Sequence, residues 1–133
     1  MKLRVVLAWV YVVVWCGVIF FFSNIPDLKI KELGFYDFIF RKAAHITEYL
    51  VLFILLIRAF CLSYNRYDKK ILIYSILLAT FYAISDEIHQ KFVPGRHFAI
   101  TDILIDMFGS FLGVLVWNKL YIKKFKNYLK KQN

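Results

Sequence analysis

The sequence predicts an all-α polytopic membrane protein, a bundle of four transmembrane helices with both termini in the cytoplasm. Hydrophobic residues make up 61% of its 133 residues, against roughly 45–50% in soluble globular proteins. A domain this small has too little interior to hide so much apolar surface. The apolar residues also gather into four runs, with positive charge between and after them. We therefore treat residues 1–133 as one membrane domain.

The formal net charge of +9 raises nucleic-acid binding as an alternative function. That function requires a basic stripe on a folded soluble surface, whereas here the basic residues occupy the chain ends and short connections, as in membrane topology signals. We therefore expect membrane lipids, and not nucleic acid, as partners. Cys16 and Cys61 lie singly within apolar runs, so they predict neither a zinc site nor a disulfide.

The first apolar run covers about residues 5–22 and holds no charge over 18 residues. That length approaches what a transmembrane helix needs. A cleaved signal peptide is the alternative, but Phe20, Phe21 and Phe22 stand where cleavage requires small residues. The run therefore predicts a retained helix.

Three further spans follow, each interrupted or flanked by polar residues. They are predicted at about residues 41–62, 71–93 and 98–121, and a basic tail occupies 122–133. The apolar stretch at 35–40 predicts a short helix lying in the membrane interface. Pro94-Gly95 predicts a tight turn between the third and fourth spans.

Lysine and arginine counts orient the predicted bundle. If the N-terminus is inside, twelve of the 18 Lys and Arg residues lie at the inner face and six at the outer face. The positive-inside rule therefore predicts a multi-pass protein of the cell membrane with cytoplasmic N- and C-termini. The lysines of the tail would favour an anionic inner leaflet.

This topology places seven polar residues in the outer half of the bilayer or at its edge. They are His45, Glu48, Asp86, Glu87, Gln90, Asp102 and Asp106. Ionisable residues within a membrane are costly, so they mark functional sites by default. Excess negative charge in a low-dielectric setting shifts the pKa values of ionisable groups. Shifted pKa values are typical of active sites.

Two of the predicted helices carry a stripe of small and polar residues, and on the second span Arg41, His45 and Glu48 line up, with Leu52 and Leu55 continuing that face. The stripe on the fourth span is Asp102, Asp106, Gly109 and Gly113, and that on the third is Ala79, Ala83, Asp86 and Gln90. Spacings of four and three residues place each set on one helix face. Gly109 and Gly113 form a small-xxx-small pair that admits a neighbouring backbone. We expect the stripes to pack tightly toward the cytoplasm and to open into a polar cavity outside.

Two alternatives for the polar set stay open. A divalent metal could take ligands from His45, Glu48, Asp86, Glu87 and His89, although bundle metal sites usually repeat a Glu-x-x-His motif on two helices. We therefore assign no metal ligand, and the cofactor is unknown. The second alternative is a structural network in which Lys42, Lys91 and Arg96 neutralise the acids.

Short motifs recur in order along nearly the whole chain. They are Phe22-Ser23-Asn24 with Pro26, Lys42-x-x-His45-x-x-Glu48-Tyr49, Tyr82-Ala83, Asp86-Glu87, Gln90, Phe92-Val93-Pro94-Gly95-Arg96, Asp102, Asp106 and Gly109. Together they resemble the VanZ-like family, except that Asn24-Ile25 stands where a Ser-Gln pair is common. The resemblance implies a bacterial multi-pass membrane protein, linked in some members to reduced susceptibility to glycopeptides such as teicoplanin. It does not imply a reaction.

We hypothesise that the outer cavity binds or modifies a lipid-linked envelope molecule, such as a cell-wall precursor. The candidate catalytic acids and bases are Glu48, Asp86, Glu87 and Asp106. The candidate substrate-binding residues are Lys42, His45, Gln90, Arg96 and Asp102, with Lys42 and Arg96 suited to an anionic headgroup. The alternative is a non-catalytic scaffold whose polar network is structural. A transporter is less favoured, because no inverted repeat is evident. Whether the protein is an enzyme stays open.

Overall fold

A computed structural model describes residues 2–26 and 34–131, and this part of the chain is helical with short connections and without strands. The helices are α1 Lys2–Ser23, α2 Gly34–Tyr64, α3 Lys69–Gln90, α4 Ile100–Val116 and α5 Ile122–Lys130, with a π-helical segment, Trp117–Tyr121, joining α4 to α5. Four helices are long and apolar enough to cross a membrane, the fourth running on from α4 through the π-helical segment. The prediction of an all-α bundle with four spans is confirmed.

Two predicted boundaries differ from the structure. The stretch at 35–40 is the beginning of α2 and not a separate interfacial helix, because the helix runs without interruption from Gly34. At 1.5 Å per residue its 31 residues extend roughly 46 Å, more than the hydrocarbon thickness. The third helix ends at Gln90, earlier than predicted, and the fourth begins at Ile100, later than predicted, so residues 91–99 separate them. Gly95 in this connection has a φ of +79°, as expected for the predicted turn.

The second helix lies at the centre of the bundle and packs on α1, α3 and α4. Tyr49, Leu52 and Leu56 are fully or almost fully buried among apolar residues of α1 and two alanines of α3. Two tryptophans of α1 also bond to α2. The Trp15 indole donates to the Glu48 carbonyl at 2.9 Å, and the Trp9 indole donates to Ser63 Oγ at 3.0 Å.

The contact between α2 and α4 is closest at two glycines. A Cβ added to Gly109 would meet the Ile46 backbone, 3.0 Å from its Cα and closer to its carbonyl oxygen. A Cβ on Gly113 would lie 2.8 Å from Phe53 Cδ1. Only residues without a side chain fit here, so the predicted small-xxx-small contact is confirmed.

Large apolar side chains cover the outside of all four long helices, with Phe81, Phe92 and Phe111 among the most exposed. Such a surface on a soluble monomer would be a strong association site, whereas in a bilayer it contacts lipid. Arg4 donates to the Tyr128 hydroxyl at 2.7 Å, so α1 begins at the end of the bundle where α5 lies. The cytoplasmic location of that end stays a prediction.

The glycine contact gives a stability prediction. Gly109→Ala forces α4 away from Ile46, and we expect overpacking to lower the free energy of unfolding by about 1–3 kcal/mol. Thermal unfolding of the purified protein in detergent measures this change. Gly17→Ala is the matched control, because nothing lies within 4 Å of its added Cβ. If both variants unfolded like the parent protein, the close contact between α2 and α4 would be contradicted.

Candidate functional site

A buried pair joins α2 to α4 one helical turn from the Gly109 contact. His45 Nδ1 lies 2.9 Å from Asp106 Oδ1, and the Asp106 side chain is fully buried while that of His45 is 13% exposed. An ionised carboxylate only accepts hydrogen bonds, so Nδ1 carries the hydrogen when Asp106 is ionised, and Nε2 is an acceptor in the neutral form of the ring. Asp106 thus fixes both the ring orientation and the tautomer of His45.

A second pair lies one turn closer to the start of both helices. The Lys42 ammonium bonds to Asp102 Oδ1, and both side chains are partly exposed. The Lys42–Asp102 and His45–Asp106 pairs therefore lie one helical turn apart, and both connect α2 to α4. The sequence predicted all four residues as site residues, and the structure brings them together.

Asp86 and Gln90 lie one turn apart on α3, next to the end of α1. Gln90 Nε2 donates to Asp86 Oδ2 at 3.0 Å and to Ser23 Oγ at 3.3 Å, and all three residues are buried. Ser23 was missed as a site residue, because nothing in the spacing of α1 singles it out. Its place beside Phe22 and Asn24 in the ordered motifs was the available signal.

Glu87 holds the start of the fourth helix. Its Oε2 accepts the Ala99 backbone N–H at 3.0 Å, and Ala99 is the N-cap of α4 with no side-chain cap of its own. A carboxylate at this position complements the positive end of the helix dipole. The side chain is fully buried, so this predicted catalytic residue has a clear packing role.

Arg96 connects the turn after α3 to the end of α1. Its Nε donates to the Ile25 carbonyl at 3.0 Å and its Nη2 to the Phe22 carbonyl at 3.3 Å. His89 supports the same junction through Asn24 Oδ1 at 3.0 Å. The predicted anion-binding residue Arg96 therefore uses part of its guanidinium to fix the segment that follows α1.

A cleft of about 590 Å³ lies between these elements, within the usual size range of small-molecule sites. Its lining comes from the end of α1, the first half of α2, the end of α3, the following turn and the start of α4. The lining residues are Phe22, Ser23, Ile25, Pro26, Phe38, Arg41, Lys42, Ala44, His45, Glu48, Gln90, Gly95, Arg96, His97 and Asp102. Asp86, Glu87 and Asp106 do not line the cleft, and Asp86 and Asp106 bond to the lining residues Gln90 and His45.

The geometry of the pair indicates how His45 meets the cleft. Its Nδ1 edge faces Asp106, which is fully buried and does not line the cleft. The opposite edge of the ring, which carries Nε2, is therefore the edge available to the cleft. An imidazole held by a buried carboxylate, with its second nitrogen toward a cavity, is suited to general-base catalysis.

Three polar atoms near this pair are buried without a hydrogen-bond partner among the described residues: Tyr49 OH, Glu87 Oε1 and Asp106 Oδ2. Buried polar atoms of this kind occur where a site holds strain or acts chemically. Tyr49 was not among the predicted site residues, although it follows Glu48 directly. Within residues 2–26 and 34–131, no group of three or more His, Cys, Asp and Glu side chains is arranged to hold a metal.

The bundle and its cleft define a polytopic membrane protein with a polar site built into one end of its transmembrane helices. A model of the VanZ/LLP1 family matches residues 8–122, a range that includes every residue of the cleft. The chain belongs to the VanZ-like family, and the resemblance seen in the sequence is confirmed. Searches of curated proteins and of solved structures give no match.

Measurements of the free energy of unfolding can test the His45–Asp106 pair without an activity assay. His45→Leu leaves the buried Asp106 carboxyl without its partner, and we expect it to lower the free energy of unfolding by about 3–5 kcal/mol if the carboxyl stays ionised and by less if it takes up a proton. Adding Asp106→Leu removes that carboxyl, so the double variant should recover much of the loss. Thermal unfolding in detergent is measured for His45→Leu, for Asp106→Leu and for the double variant. These measurements give the coupling energy between the two side chains. Strictly additive losses would contradict a direct pair.

Proposed function

We propose that the protein binds the polar headgroup of a lipid-linked cell-envelope molecule in the cleft and exchanges a proton with it. The observation that supports this most strongly is the His45–Asp106 pair at the wall of the cleft. A pairing made only for stability would not need the second imidazole nitrogen to face a cavity. Apolar lining from Phe22 and Phe38 beside charged residues suits a ligand that is apolar at one end and charged at the other.

In this proposal His45 is the general base, and Asp106 is the positioning residue behind it. His45 Nε2 takes a proton from a hydroxyl, amine or water at the headgroup, and the Asp106 carboxylate stabilises the imidazolium that forms. Glu48 lines the cleft one turn further along α2 and supplies a second acid or base. Asp86 and Glu87, which do not line the cleft, act through their negative charge.

The remaining predicted binding residues surround the entrance of the cleft. Lys42 and Arg96 supply positive charge for an anionic headgroup, and Gln90 and Asp102 hold neighbouring side chains in place. We infer that this end faces outward and that the termini are cytoplasmic, because the opposite end carries more Lys and Arg. Lipid-linked wall precursors are exposed at the outer face, so the site would meet them there.

The name of the family connects this proposal to glycopeptides. A protein that binds or alters a lipid-linked wall precursor would change the target of drugs such as teicoplanin. We therefore propose that expression of the protein lowers susceptibility to teicoplanin, and that the cleft is the part of the molecule responsible.

A non-catalytic scaffold is the second candidate, and specific contacts favour it. Glu87 and Arg96 bond to backbone atoms of neighbouring elements, as residues that fix helix positions do. Under this alternative the polar network serves folding, and the protein acts by contacting other envelope proteins. The two functions differ in whether activity can be lost while the fold is kept.

The variants Asp106→Asn and Glu48→Gln separate the two candidates, since both keep the side-chain volume. For an activity that uses proton transfer we expect a loss of about 10²–10⁴-fold. In cells this should abolish protection against teicoplanin at unchanged membrane abundance. Thr47→Val is the control, because Thr47 is exposed on the same helix and does not line the cleft. Full protection by both variants would refute the proposal, and a loss in proportion to abundance would support the scaffold.

A further inference from the structure

The cleft separates positive and negative charge along α2. Arg41 and Lys42 line it near the beginning of the helix, and Glu48 lines it two turns further into the bundle. At 1.5 Å per residue, Glu48 is roughly 10 Å further along the axis than Arg41. Toward the entrance lie Arg41 and Lys42, with Asp102 bonded to Lys42, and the Glu48 carboxylate lies further into the bundle.

Glu48 differs from the other acids of the site in its pairing. Asp102 bonds to Lys42, Asp106 to His45, and Asp86 to Gln90. Within the described part of the chain, the Glu48 carboxylate makes no hydrogen bond and no ion pair, and only its backbone carbonyl is bonded, to Trp15. A half-buried carboxylate without a partner is costly in a low-dielectric setting.

The acceptors at the floor of the cleft belong to two neighbouring residues. Glu48 offers two carboxylate oxygens, and the His45 ring offers Nε2 in its neutral form. A primary ammonium carries three N–H donors and a positive charge, so it can bond to both residues and neutralise Glu48. Charge-assisted hydrogen bonds of this kind are roughly twice as strong as those of a neutral hydroxyl.

We infer that the ligand of the cleft has a dipolar headgroup, a phosphodiester that ends in a primary amine, as in an aminophospholipid. The phosphate lies at the entrance beside Arg41 and Lys42, and the ammonium lies on Glu48 and His45. This inference rests on the proposed function, because it specifies what the same cleft binds. The amine is also the group from which His45 would take a proton.

Native mass spectrometry of the purified full chain can measure this preference. The protein is mixed with equal amounts of phosphatidylethanolamine, phosphatidylglycerol and phosphatidylcholine that carry the same acyl chains. We expect phosphatidylethanolamine to bind about tenfold more tightly than either of the others, as one charge-assisted contact provides. Monomethyl and dimethyl ethanolamine lipids should bind progressively more weakly, since each methyl removes an N–H donor. This series needs no variant and so does not depend on folding of a mutant.

Variants test which side chain provides the preference. Glu48→Gln should reduce the preference for phosphatidylethanolamine over phosphatidylglycerol to near parity, while Thr47→Val, on the exposed side of α2, should keep it. Soluble glycerophosphoethanolamine should displace the bound lipid if the headgroup alone is recognised, as this inference requires. Retention of the full preference by Glu48→Gln would overturn the assignment of the amine to Glu48.

The outcomes distinguish this inference from the proposed function. If phosphatidylglycerol or phosphatidylcholine bound as tightly as phosphatidylethanolamine, the dipolar headgroup would be wrong and the cleft could still bind another envelope lipid. If no lipid-linked molecule bound, including a lipid-linked wall precursor, or if binding were unaffected by Ala44→Trp, which fills the cleft, the proposed function would fail as well.

Discussion

The close approach of α2 and α4 is the constraint on which the rest of the site depends. Without a Cβ at Gly109, the α4 backbone reaches that of Ile46, and the neighbouring His45 and Asp106 then meet inside the bundle. Were the helices separated by one more methyl group, the imidazole and the carboxylate would move apart. The glycine contact therefore sets the geometry of the buried pair and, through it, the orientation of the His45 ring at the cleft.

The bilayer explains why these polar side chains are arranged in pairs. Unpaired charges in a low-dielectric setting are costly, so each acid needs a partner within the bundle. Asp102, Asp106, Asp86 and Glu87 each accept a bond from a different kind of donor: an ammonium, an imidazole, an amide and a backbone N–H. Among residues 2–26 and 34–131, the Glu48 carboxylate at the cleft has no such partner, which is why the cleft and not the buried network is the place to look for a ligand.

The sequence predicted much of this architecture because helical periodicity encodes which residues share a face. The four spans, the glycine contact and the gathering of the polar residues all follow from spacing along single helices. The continuity of α2 through residues 35–40 was not predicted. Arg41 and Lys42 interrupt the apolar pattern there, but charged side chains at the membrane surface do not break a helix.

Partners across helices could not be predicted in the same way. Which acid meets His45 depends on the relative height and rotation of two helices, and a single helix does not encode these quantities. Likewise, the bonds from Glu87 to Ala99 and from Arg96 to the carbonyls after α1 involve backbone atoms, which carry no sequence signal. These contacts show that some of the predicted catalytic and binding residues also hold the fold together.

We propose that the cleft beside His45 is open to the outer aqueous phase. Cysteine labelling in intact cells tests this directly, with Ala44→Cys introduced after Cys16 and Cys61 are replaced by serine. Ala44 lines the cleft and is exposed, whereas Thr47→Cys places the probe on the exposed surface outside the cleft. The account predicts that a membrane-impermeant thiol reagent added outside labels position 44 rapidly and position 47 slowly. Labelling of position 44 only after the cells are opened would contradict it.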